Sequence, residues 1–171
     1  MALGENHYAI TLFEQALAIA REINNRRSEG SLLADLGTTY NAIGEISRAV
    51  EYHKQALPVA RETGDRRGEG LILMNTGIDY LLMNEPHRSI EFFQQALIIL
   101  HNLGDRYSEG QVLANLGVAY GYLGQYDQAI NILEQARVIF RAINAMHEVE
   151  RLDRHIALAI AERDGKSKRR R

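Results

Sequence analysis

The chain contains no cysteine, and it has two prolines among its 171 residues and no long apolar run. Without thiols it can form neither disulfides nor thiolate metal sites, which fits a reducing compartment such as the cytoplasm. Scarce proline and an ordinary hydrophobic share of 46% argue against long disordered stretches. No segment approaches the roughly 20 apolar residues that span a bilayer. The opening Met1-Ala-Leu-Gly-Glu-Asn6 lacks the basic and apolar regions of a signal peptide. A membrane is therefore not an expected partner. Formal net charge is −2, but five of the 20 basic residues crowd into Lys166–Arg171, leaving 15 against 22 acidic side chains and a balance of −7 elsewhere. So acidic a body is a poor candidate for nucleic-acid binding.

What the chain does have is an internal repeat. Glu109–Tyr120 (EGQVLANLGVAY) restates Glu69–Tyr80 (EGLILMNTGIDY) 40 positions on, and Glu29–Tyr40 (EGSLLADLGTTY) gives the same line again. Repeats of this length form solenoids, in which each unit buries its apolar face on its neighbours. Leu33, Leu36, Tyr40 and Ile43 recur at helical spacing, as do Leu113, Leu116, Tyr120 and Leu123. Ala129, Ile130, Leu133, Ala136 and Phe140 mark a second helix, so each unit reads as a hairpin of helix A and helix B.

Turn chemistry gives an independent check. Helix ends favour a left-handed residue, which Gly adopts freely and Asn tolerates. The expected ends of helix A fall on Gly4, Gly44, Asn84 and Gly124, and those of helix B on Asn24, Gly64, Gly104 and Asn144. Asp65 and Asp105 are expected to cap helix A, and Ser47 or Asp127 helix B. Gly37, Gly77 and Gly117 lie mid-helix, where glycine costs about 1 kcal/mol. A close neighbouring helix explains their retention, with Ala16, Ala56, Ala96 and Ala136 as the matching small residues on helix B.

The pattern of Leu113, Leu116, Gly117, Tyr120, Ala129 and Ala136 resembles the tetratricopeptide repeat (TPR). The resemblance covers Leu3 to about Ile160, with leucine in place of the usual early tryptophan and a period of 40 rather than 34. The longer period resembles Pins-type adaptors, kinesin light chains and bacterial sensor arrays. It implies an all-α, right-handed α-solenoid of about eight helices. It also implies a concave groove lined by Ser31, Ala34, Thr38 and Asn41, then Leu71, Met74, Ile78 and Leu81, then Gln111, Ala114, Val118 and Tyr122. Met74, Ile78 and Leu81 would make its middle an apolar trough suited to an amphipathic helix or extended peptide.

The expected array occupies residues 1–164. Residues 5–23 form an unpaired helix B, 24–64, 65–104 and 105–144 form hairpins, and 147–163 form a capping helix with Asp153 on its polar face. A disordered basic tail follows from 165 to 171. The missing first helix A suggests a fragment of a longer array, or self-association through Tyr8, Leu12 and Ile19. Pro58 predicts a kink near residues 54–58.

Catalysis finds no support. The six histidines show no ligand spacing, no phosphate loop is present, and no cofactor or metal is expected. His53 falls on the core face of helix B and reads as a packed, hydrogen-bonded residue. Arg26, Arg27, Arg66, Arg67 and Arg106 could form a basic rim at the starts of helix A, or pair locally with Glu29, Glu69 and Glu109. The function that follows is a non-catalytic protein-interaction module. The alternative is a ligand-sensing array within a larger regulator, such as a signalling ATPase or a transcription factor.

Overall fold

The computed structural model describes residues 2–169, with side chains from 5 to 166. Among them are eight α-helices and no strand. They are α1 (Ala2–Glu22), α2 (Arg26–Ala42), α3 (Ile46–Glu62), α4 (Arg66–Leu82), α5 (Pro86–Asn102), α6 (Arg106–Tyr122), α7 (Tyr126–Ala142) and α8 (Met146–Arg169). Six of the eight have 17 residues, as the constant repeat requires.

The turns follow the expected chemistry. Asn24, Gly44, Gly64, Asn84, Gly104, Gly124 and Asn144 all have positive φ, between 55° and 82°. At Gly64 the left-handed residue lets the Asp65 amide donate to the Ala60 carbonyl at 2.9 Å, closing the end of α3. Asp65 then caps α4 through the Gly68 amide at 2.9 Å, and Asp105 caps α6 through the Ser108 amide at 3.1 Å. Asn25 does the same for α2, again at 3.1 Å.

Three expectations need correction. Gly4 does not end a helix, because α1 runs unbroken from Ala2. Ser47 and Asp127 lie inside the first turns of α3 and α7, whose cap positions, Glu45 and Gln125, make no side-chain cap bond. Helix α8 extends through the basic tail to Arg169, so residues 165–169 are helical; Arg170 and Arg171 lie outside the described residues. The tail has contacts to hold it: Lys166 Nζ sits 4.7 Å from the centre of the Tyr126 ring, and Arg163 bonds Asp127 at 3.2 Å. Pro58, where a kink was expected, lies inside α3 with its side chain exposed, and the helix runs on to Glu62.

The chain divides into two compact units, Met1–Asn84 and Glu85–Arg171. In the first, α2 packs against α1 and α3, α3 against α4, and α2 also touches α4. Its core gathers Ile10, Leu17, Leu33, Leu36, Val59 and Ile72. In the second, α6 packs against α5 and α7, α7 against α8, and α6 touches α8. Leu113, Leu133, Phe140, Val149 and Leu152 fill that core.

The mid-helix glycines are where neighbours come closest. A Cβ on Gly37 would lie 2.5 Å from the His53 ring, and one on Gly117 would lie 2.6 Å from Leu133 Cγ. No side chain fits there, which offsets the propensity lost.

Candidate functional site

In each unit, consecutive A helices touch and leave one side of their seam open. In the first unit two adjoining cavities lie along the seam of α2 and α4. One, of about 220 Å³, is walled by Arg27, Ser31, Ala34, Thr38, Leu71 and Asn75. The other, of about 200 Å³, is walled by Thr38, Asn41, Asn75 and Ile78 over His53 and Asp79. Asn75 Nδ2 donates to Thr38 Oγ1 at 3.3 Å, joining the two helices where the cavities meet. Asp35 borders the first cavity, and desolvation raises its carboxyl above the ordinary value.

The floor of the second cavity is a polar triad of buried His53 and Asp79 with half-buried Asn41. Asn41 Nδ2 donates to Asp79 Oδ1 at 2.5 Å, and His53 Nδ1 lies 2.7 Å from Asp79 Oδ2. Both the His53 and the Asp79 side chains are 0% exposed, and His53 Nε2 makes no hydrogen bond. A carboxylate without water is tolerated only where such donors surround it.

The second unit presents an apolar counterpart. A cavity of about 310 Å³ is walled by Val118 and Tyr122 of α6, Tyr126 and Leu133 of α7, and Leu158 and Ala159 of α8. Tyr122 and Leu158 are more than half exposed. His155 also lines it, its Nδ1 buried without a partner. Burial, aided by Arg151 and Arg154, lowers the pKa of that imidazole.

Of the groove residues expected from the sequence, Ser31, Ala34, Thr38, Asn41, Leu71, Ile78, Val118 and Tyr122 wall these cavities. Leu81 and Gln111 are half-buried and wall none of them. Met74 is 9% exposed and Ala114 3%, so both belong to the packed interior. The expected trough through Met74 is thereby lost, because that position of helix A turns inward.

The basic rim also changes character. Arg26, Arg66 and Arg106 each bond the glutamate three residues on, Glu29, Glu69 and Glu109, with Arg106–Glu109 at 2.6 Å. A second side-chain nitrogen meets each glutamate from the preceding helix: Arg21 at 2.9 Å, Arg61 at 2.8 Å and His101 at 2.9 Å. These glutamates are buried, and the Arg21 bond leads in holding the Glu29 carboxyl below its ordinary value. Arg66 and Arg106 are thus paired within their own helices, and Arg26 also reaches Glu62 of α3. Arg27 alone of the five borders a cavity described here, the first.

Asp79, Asn75, His155 and Leu158 were not singled out as site residues by the sequence. A signal for Asp79 existed. His53 stands where Phe93 and Leu133 stand in other repeats, and Asp79 where Thr39 and Ala119 stand. Two polar departures in adjacent hairpins suggest a pair.

Among the described residues, no group of three or more His, Cys, Asp or Glu side chains could hold a metal ion. Among the described residues, too, no helix is long and apolar enough to cross a membrane.

A family model described as tetratricopeptide repeat matches residues 1–62 and 68–142. No curated protein sequence matches the chain. Among solved structures, the apo form of RapI superposes with a TM-score of 0.87 at 16% identity, covering 96% of this chain and 60% of that one. BtubC (BKLC) from P. vanneervenii gives 0.73 at 18% identity, over 96% and 76% of the two chains. A putative kinesin light chain with nearly identical TPR-like repeats, from Podosopora anserina, gives 0.73 at 20%, over 98% and 84%. At such identities the likeness concerns the fold. The chain spans only 60% of the length of RapI.

Proposed function

The chain belongs to the tetratricopeptide repeat family, whose helical arrays serve as protein–protein interaction modules, and from that premise we propose that its helix-A seams bind an extended peptide or helical segment of a partner protein. The supporting observation is the pair of open seams whose walls include eight of the expected groove residues. Their chemistry divides the work. Thr38, Asn41 and Asn75 offer hydroxyl and amide groups that donate and accept, which suits a peptide main chain. The cavity of Val118, Tyr122 and Leu158 is apolar and takes an anchoring side chain. Because the seams are formed by packed helices, little entropy is lost on the receptor side.

The test is site-specific photocrosslinking in lysate. A photoreactive phenylalanine replaces Thr38, Ile78, Val118 or Tyr122 in turn, with the exposed helix-B positions Gln55 and Gln95 as outer-face controls. Adducts to a partner segment from the seam positions of either unit, and not from the controls, support the reading. Adducts confined to Gln55 and Gln95, or none from any seam position, refute it.

A further inference from the structure

Charge is ordered along the first cavity of the α2–α4 seam. Arg27, Ser31, Asp35 and Thr38 follow one exposed strip of α2 and all wall it, with Leu71 and Asn75 of α4 opposite. A cation thus stands toward one end, and a carboxylate a little over two helical turns on, about 12 Å along the axis. Neither side chain has an ion-pair partner among the described residues. The third charged group of the wall, the Asp65 carboxylate, is taken up by the Gly68 amide.

The repeat does not require this arrangement. The same two positions hold Arg67 and Asn75 in α4, Tyr107 and Asn115 in α6, and His147 and His155 in α8. Of these four helices, α2 alone carries opposed charges there. The walls of the cavity also withdraw water from Asp35. Desolvation, unrelieved by any cation, raises its carboxyl above the ordinary value. A cation brought by a ligand would offset that cost.

We infer that this cavity selects an extended partner segment with an acidic and a basic residue four positions apart, a selection that rests on the peptide-binding reading of the seam. The basic side chain lies over Asp35 and the acidic one over Arg27. Backbone geometry sets the spacing: four residues of extended chain span about 13 Å and return the side chain to the same side. Ser31, Thr38 and Asn75 face the intervening main chain with donors and acceptors. The opposed charges also fix direction, because a segment laid down in reverse meets like charge at both positions.

The test presents the full chain to a phage-displayed library of random linear peptides. Enriched sequences are then made as fluorescein-labelled peptides and measured by anisotropy. They are expected to share acidic and basic residues at that spacing. Arg27→Glu with Asp35→Lys should weaken the best of them by about tenfold or more. Exchanging the two charges within the peptide should restore binding to that variant, which a mere disturbance of the fold would not allow. Both positions are exposed, so circular dichroism should be unchanged. Thr38→Trp, which fills the cavity, reports separately on the seam. Peptides that Thr38→Trp displaces but the charge reversal leaves untouched overturn the inference and spare the seam reading. Loss that the exchanged peptide does not restore overturns it as well. No enriched peptide, or none sensitive to Thr38→Trp, removes both.

Discussion

His53 Nδ1 lies 2.7 Å from Asp79 Oδ2, across the contact between α3 and α4, with neither side chain exposed to water. This pair is one of the few places where the repeat departs from apolar packing in its core, and it underlies the seam that carries the proposed binding surface. Its energetics are asymmetric. Removing Asp79 alone strands the imidazole and Asn41, whereas replacing both partners by apolar groups removes the desolvation cost with the pair.

Asp79→Ala is therefore expected to destabilise the fold by about 3–5 kcal/mol. The double variant His53→Leu with Asp79→Ala, which installs the residues found at Leu133 and Ala119, should recover most of that loss. Urea unfolding of the two variants measures the difference. A double variant no more stable than Asp79→Ala would show that the pair is not the source of the cost.

Glycine substitutions should separate close packing from propensity. Gly117→Ala places a methyl 2.6 Å from Leu133 Cγ and 3.3 Å from the Ala129 carbonyl oxygen, and should cost about 1–3 kcal/mol. Gly121→Ala, in the same helix with nothing within 4 Å, should instead gain about 0.5–1 kcal/mol. Thermal denaturation reads the opposite signs directly.

Glu29 makes acid stability testable. Its folded carboxyl is held below the ordinary value of 4.5, first by the Arg21 bond, so it is deprotonated in the folded chain at pH values where the unfolded chain binds a proton. The stability it contributes is complete above 4.5 and is lost as pH falls through the lower folded value. Glu29→Gln should show lower stability at neutral pH and a flatter decline below 4.5, in denaturant titrations run at a series of pH values.

His155 titrates with the opposite preference for charge. Burial, then Arg151 and Arg154, lowers the folded imidazole below 6.5, so the folded chain resists a proton that the unfolded chain takes up. Stability is therefore undiminished above 6.5 and falls as pH drops from there toward the folded value. His155→Gln should remove this component, and the pH dependence of the melting temperature between 5 and 7 should flatten. NMR titration of the histidine Cε1–H signals tests the shift itself.

Much of the fold was legible because its determinants are local. Gly64 and Asn84 end their helices through backbone conformation, and Asp65 and Asp105 begin the next ones within three residues of themselves. Such signals need no knowledge of distant contacts. The binding surface was legible only in part, since helical spacing assigns a face but not its depth. Thr38 and Met74 occupy adjoining rows of helix A, yet Thr38 stands in the open seam and Met74 is enclosed.

The amino-acid order alone thus determined the number of helices, their 40-residue register, their turns and the small residues at close contacts. Tertiary structure decided which polar groups lost their water. Glu29, Glu69 and Glu109 looked like surface partners for neighbouring arginines, but the preceding helix buries them and adds a second nitrogen partner to each. It also joined Asp79 to His53 across 26 residues. Burial is a property of what packs alongside, and no pattern within a single helix specifies it.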